Sequence, residues 1–168
     1  MQAFHASSLQ LEGIEGYVIC FDNGHRIKLK TSSYALRHKA LSSLSNEKNV
    51  LKWVVEGITD DILPLLSEEH AKALRAYELS VRNGLNAKLE ELEVFYEAHK
   101  SLDRRDYAMA VKEQVDPKFQ QVVFGMMDGK DGLSFLVKTL TRATQSNERV
   151  NALRDLIGTN WVIDEMPE

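Results

Sequence analysis

The segment Ser67-Glu-Glu-His-Ala-Lys-Ala-Leu74-Arg-Ala-Tyr77-Glu-Leu-Ser-Val81 begins a run in which Leu74, Tyr77, Val81, Leu85, Leu89, Leu92 and Tyr96 follow one another at steps of three or four. That period places them on one buried face of a helix. Ser67 with Glu68 and Glu69 behind it is a helix start, a capping hydroxyl followed by acids that favour the positive end of the helix dipole. The steps drift toward 3.6 rather than holding strict heptads, so the stripe is core and not a coiled-coil seam. Gly84 lies inside it and is expected to bend the helix.

Outward from this helix the pattern stays helical in both directions. Upstream, Ser33 to Leu44 and Glu47 to Glu56 read as helices, the second stopped by Gly57, and Asp60 to Leu66 is a short piece interrupted by Pro64. Downstream, helices are expected over Asp103 to Val115, Pro117 to Met127 with Asp116 as cap, Leu133 to Arg142, and Glu148 to Ile157, ended by Gly158. Asp128-Gly129-Lys130-Asp131-Gly132 reads as a loop between helices. Arg104, Arg105 and Tyr107 could meet RNA phosphate and a base, but Asp103 and Asp106 beside them favour a solvated helix start. Trp53 and Trp161 are read as packing anchors.

Only the beginning of the chain departs from this pattern. Ile14-Glu-Gly-Tyr-Val-Ile-Cys-Phe21, then Asp22-Asn-Gly24, then His25-Arg-Ile-Lys-Leu-Lys30 is two β-rich runs joined by a turn signal. With Asn23 and Gly24 as a two-residue turn, Phe21 faces Arg26, Ile19 faces Lys28, and Tyr17 faces Lys30. Glu15, Arg26, Lys28 and Lys30 then share a face, while Gly16, Val18, Cys20, Ile27 and Leu29 form a small, apolar one on which Cys20 is a buried thiol. The fold expected is therefore mainly α, a short N-terminal β-hairpin followed by an all-helical domain.

Composition narrows the function. The 168 residues are 43% hydrophobic and 27% charged, which suits a packed domain rather than a disordered chain. One cysteine excludes an internal disulfide framework and points to a reducing, cytoplasmic setting, and no segment is long and apolar enough to span a bilayer. His5, His25, His38, His70 and His99 are scattered without an i, i+4 pair, so no zinc site is expected. The net charge is -4, yet up to Leu41 five basic residues face three acids. Anion binding is thus expected near the hairpin.

Glu15-Gly16-Tyr17-Val18 followed by Lys28-Leu29-Lys30 resembles motifs IV and V of the ATP-dependent nucleotidyltransferases. Together with Ser33-Tyr34-Ala35-Leu36-Arg37-His38-Lys39 and the helical tail, it is similar to the bacteriophage-type RNA ligases of tRNA repair. The resemblance implies that residues 1–31 end an adenylation domain and residues 32–168 form the helical C-terminal domain. It further implies that Lys28 and Lys30 contact ATP phosphates and that Glu15 helps hold Mg²⁺. Lysines at i and i+2 of a strand point the same way and can grip neighbouring phosphate oxygens, where charge builds during AMP transfer.

Such ligases use a nucleophilic lysine in a Lys-x-Asp-Gly motif upstream of Glu-Gly, and none of the fourteen residues before Glu15 is a lysine. The expectation is a truncated ligase that joins RNA 5′-phosphate and 3′-hydroxyl ends only as part of the complete enzyme, with a separate adenylation fragment as partner. The isolated chain is expected to be inactive and to bind neither ATP nor Mg²⁺. The alternative is a stand-alone helical module that binds RNA or tRNA without catalysis.

Overall fold

The computed structural model describes residues 13–163; His5 and the first twelve residues of the 1–31 segment lie outside the described residues. Strands β1 (Gly16–Cys20) and β2 (Arg26–Lys30) pair antiparallel. Helices follow: α1 (Ser32–Leu44), α2 (Glu47–Glu56), α3 (Thr59–Ile62) running into a 3-10 turn at Leu63–Leu65, and the long α4 (Glu68–His99). Then come α5 (Arg104–Gln114), α6 (Gln120–Met127), α7 (Gly132–Ala143), α8 (Asn147–Ala152) and α9 (Arg154–Ile157). The fold is mainly α with an N-terminal hairpin, and no described helix is long and apolar enough to cross a membrane.

The helix ends have identifiable chemical causes. The Ser67 hydroxyl accepts from the His70 amide at 3.3 Å, and Asp103 accepts from the amides of Arg105 and Asp106, each at 2.9 Å. Asp131 accepts from the Leu133 and Ser134 amides, so the Asp128–Gly132 loop ends as the cap of α7. Gly57 closes α2 in the left-handed conformation, φ 69°. Pro117 does not begin α6. Asp116 instead folds the chain into a turn, accepting from the Lys118 amide on its carboxylate and from the Phe119 amide on its carbonyl, and α6 starts at Gln120.

The core forms around α4, whose stripe packs against α2, α6, α7 and α9. Leu74, Tyr77, Val81 and Leu92 are buried, and Leu85, Leu89 and Tyr96 lie half-buried against the same cluster. Trp53 is in the core as well. Tyr107 is fully buried, donates to the Val123 carbonyl at 2.9 Å, and meets the rings of Phe95 and Phe124 edge-on. Burial pushes its hydroxyl up to about 12. It therefore has no free face for a base, and Arg104 and Arg105 are left as the exposed start of α5.

The last helical stretch is divided. Leu153 leaves helical geometry, splitting the expected Glu148–Ile157 helix into α8 and α9. Arg154 then reaches back to α2, its guanidinium donating to both oxygens of Glu47 at 2.6 and 2.8 Å, while Tyr77 of α4 donates to the same carboxylate at 2.9 Å. Gly84 does not break α4. A Cβ there would lie 1.8 Å from the Leu156 carbonyl oxygen, so glycine is what lets α9 cross so closely.

That contact decides the sign of a substitution. Helix propensity alone makes Gly→Ala in a helix interior stabilising by about 1 kcal/mol. Here the clash is with backbone, and Gly84→Ala is expected to destabilise the chain by about 1–3 kcal/mol. Urea unfolding checks this, and a rise in midpoint contradicts it.

Candidate functional site

The hairpin sets the geometry of the site, and its turn differs from expectation. Phe21 and His25 close the loop, with the Phe21 amide donating to His25 and the Gly24 amide donating to Phe21, both at 2.8 Å. The loop is thus Asp22-Asn23-Gly24, and only Gly24 has positive φ, 85°. Asn23 avoids the positive φ that a two-residue type I′ turn demands, and its side chain accepts instead from the His25 amide at 3.1 Å.

The extra loop residue slips the register by one. Gly16 faces Lys30, Val18 faces Lys28, and Cys20 faces Arg26. The three cations therefore share a face with Gly16, Val18 and Cys20, and Tyr17, Ile19 and Phe21 lie with Ile27 and Leu29 on the other. Cys20 is exposed, not buried. Its face is the cationic one, which does not pack on the helical core.

Glu15 nevertheless joins the cations. Its carboxylate lies 2.5 Å from Lys28 Nζ, and both side chains are about half exposed (45% and 55%). The hydrogen bond from Lys28 holds the Glu15 carboxyl below its ordinary value, with Lys30 and the Tyr34 hydroxyl adding smaller effects. The same bond raises Lys28. Lys30 Nζ sits 5.1 Å from the centroid of the Tyr34 ring, and the His38 ring follows one helical turn on, 5.9 Å from Tyr34. Glu15, Lys28 and Lys30 are thus brought together, with Tyr34 as a fourth member.

Two small residues hold this cluster in place. A Cβ on Gly16 would lie 1.9 Å from the Leu29 carbonyl oxygen, so only glycine lets the chain after Glu15 run so close to β2. Thr31 is 1% exposed and joins three pieces of chain. Its amide donates to the Glu15 carbonyl at 3.0 Å, its hydroxyl donates to the Ile14 carbonyl at 2.9 Å, and the same oxygen accepts from the Tyr34 amide as cap of α1. Sequence reading missed Thr31 and the role of Tyr34. The signal was a capping Thr three residues before the Tyr, at the point where strand periodicity gives way to helix.

Two measurements follow from this geometry. Gly16→Ala is expected to abolish amide protection over 16–30 while leaving the core of α4 protected; retained hairpin protection contradicts it. Because the folded Glu15 value is lowered, the ion pair is fully present above the ordinary carboxylate range and is lost as pH falls through the lowered value. By NMR titration, Glu15 is expected to have a lower midpoint in the parent chain than in Lys28→Met, and equal midpoints contradict the assignment.

The helical body gives the second line of identification. The family model described as T4 RNA ligase 1, C-terminal domain, matches residues 41–152, from the last turn of α1 to the end of α8. The match falls on the helices that pack around α4, immediately after the hairpin cluster. By its helical body, the chain belongs to the T4 RNA ligase 1 C-terminal domain family.

Proposed function

We propose that this chain supplies the metal- and phosphate-binding end of an ATP-dependent RNA ligase together with its helical C-terminal domain. Residues 1–31 are read as the end of the adenylation domain and 32–168 as the helical domain. The observation that carries the proposal is the gathering of Glu15, Lys28, Lys30 and Tyr34 directly ahead of a helical body of RNA ligase type.

The residues present fit the groups such a reaction needs. A hydrated Mg²⁺ is held by one or two carboxylates plus substrate phosphates, and Glu15 offers one exposed carboxylate kept ionised by its neighbours. When bound, the metal would offset charge on the α-phosphate. Lys28 and Lys30 lie on one side of β2, and in this reading their ammonium groups contact adjacent ATP phosphates. An exposed ion pair is weak, so Lys28 can leave Glu15 for a phosphate at little cost. Lys30 is steered by the Tyr34 ring, which limits the positions its ammonium group adopts.

No Lys-x-Asp-Gly occurs in the 168 residues. The nucleophilic lysine is therefore assigned to adenylation-domain sequence outside these 168 residues, and the reaction to the sealing of RNA 5′-phosphate and 3′-hydroxyl ends, with a broken tRNA as substrate. The second reading, a non-catalytic RNA-binding module, uses the same cations on RNA phosphates.

The test is to incubate the chain with Mg²⁺ and ATP labelled at the α-phosphate, alone and with an RNA ligase adenylation fragment that carries Lys-x-Asp-Gly. Alone, no protein-bound AMP is expected, and a covalent adduct would falsify the assignment of the nucleophile. With the fragment, sealing of a nicked anticodon loop is expected, falling by about 100-fold or more in Lys28→Ala and Lys30→Ala. RNA binding with no sealing in the mixture favours the module.

A further inference from the structure

We propose that a groove between α4 and the segment after α9 takes an unpaired nucleobase of the RNA. The proposal rests on the reading of the chain as an RNA ligase component and adds to it a second contact, remote from the hairpin. The segment from Gly158 onward crosses α4 as a strap fastened at both ends. At its start, Ser80 of α4 donates to the Ile157 carbonyl at 2.8 Å, and Arg154 donates to the Thr159 carbonyl. At its far end, the Trp161 indole N–H donates to the Leu44 carbonyl at 2.6 Å, and the ring meets Tyr77 edge-on, 5.5 Å between centroids.

Between these fastenings lies a cavity of about 470 Å³, open to solvent. Its helical side carries Ala73, Ala76, Tyr77 and Ser80, and the strap side includes Asn160 and Trp161. Three features of this lining point to one class of ligand. Among the described residues no lining residue is charged, so a phosphate finds no cation in that lining. The guanidinium that donates to the strap, Arg154, is occupied by Glu47, Asn151 and Thr159. The alanines leave room for a flat group, an aromatic ring held by its own hydrogen bond borders it, and the Asn160 amide offers both a donor and an acceptor. Recognition of unpaired bases uses this combination of aromatic surface and amide edge.

Placement supports the same ligand. Trp161 is bonded to the last residue of α1, and the hairpin cluster lies at the first turn of that helix. Thirteen helical residues at 1.5 Å each separate the two by about 20 Å, a distance spanned by a few nucleotides. An RNA end brought beside the ATP phosphates at Lys28 and Lys30 thus has an unpaired base within reach of the groove. The strap lies beyond the matched residues 41–152, while the helical wall of the groove lies within them.

Trp161 reports on the groove directly, because Trp53 is the only other tryptophan. In a Trp53→Phe background, an RNA hairpin with an unpaired loop is titrated into the full chain while Trp161 emission is followed, with a blunt duplex of equal charge as control. The hairpin is expected to change Trp161 emission and the duplex not. Ala76→Leu fills the groove from an exposed helix position, and Asn160→Ala removes the amide; each is expected to weaken hairpin binding about tenfold. Circular dichroism confirms that both variants stay folded.

Hairpin binding at parent strength in both variants, with Trp161 silent, overturns the groove while leaving the ligase reading intact. Failure of the parent to bind any RNA overturns the groove, while sealing in the mixture with the adenylation fragment decides the ligase reading separately. A Trp161 response to free adenosine without a response to the RNA also overturns the proposal, and assigns the groove to a small molecule.

Discussion

The ion pair between Arg154 and Glu47 is the constraint around which the helical body closes. It joins residues far apart in sequence, and both side chains are mostly withdrawn from water. A pair in that position is stable only if its remaining hydrogen-bonding capacity is met. Tyr77 supplies a donor to the carboxylate, and Asn151 and the Thr159 carbonyl take up other guanidinium hydrogens. The Tyr77 hydroxyl is thereby held in its neutral form, raised well above its usual range by burial and then by the Glu47 charge. Three helices and the strap are fixed by one carboxylate. Without it, α9 would have only its packing on α4 and the Ser80 bond to the Ile157 carbonyl to set its position.

The hairpin is attached differently. Its apolar face is only half covered, with Tyr17 and Ile27 still 38% and 47% exposed, so burial contributes less to its position than it does for any core helix. Its orientation rests on Thr31, whose side chain and amide bind the chain at Ile14 and Glu15 while capping α1. Buried hydrogen bonds of this kind fix direction more than they add stability, because each replaces a bond to water. The consequence for function is positional. One residue ties the backbone that carries Glu15 to the helix that carries Tyr34, and β2 delivers Lys28 and Lys30 between them.

The sequence was informative wherever period and cap agreed. The 3.6-residue stripe of α4, the Ser67 cap and the Gly57 stop were all legible, because each depends on contacts within a few residues. The errors came where a tertiary contact overruled a local preference. The clearest is Leu153, which reads as helical until α9 must turn onto α4. The hairpin register failed for a narrower reason: Asp-Asn-Gly serves equally as part of a two-residue or a three-residue loop, and that choice reverses both faces. Glu15, Lys28 and Lys30 still came together, because Glu15 precedes the paired strand at Gly16 and is not bound to its alternation. Tyr34 and Thr31 were harder to see, since their roles exist only once strand and helix meet.

The position of α1 links these observations. Its first turn is capped by Thr31 beside the cations, and its last carbonyl receives Trp161 from the other end of the chain. The helix itself has little amphipathic character, exposing Leu36 and Arg37 and burying only Ala40 and Leu44. A helix so lightly packed would not hold a fixed direction through its own core contacts. It is held at its two ends instead, by a threonine that belongs to the hairpin and a tryptophan that belongs to the strap. The spacing between the hairpin cluster and the groove is therefore set by the length of one helix, and inserting or deleting a turn in α1 would change it.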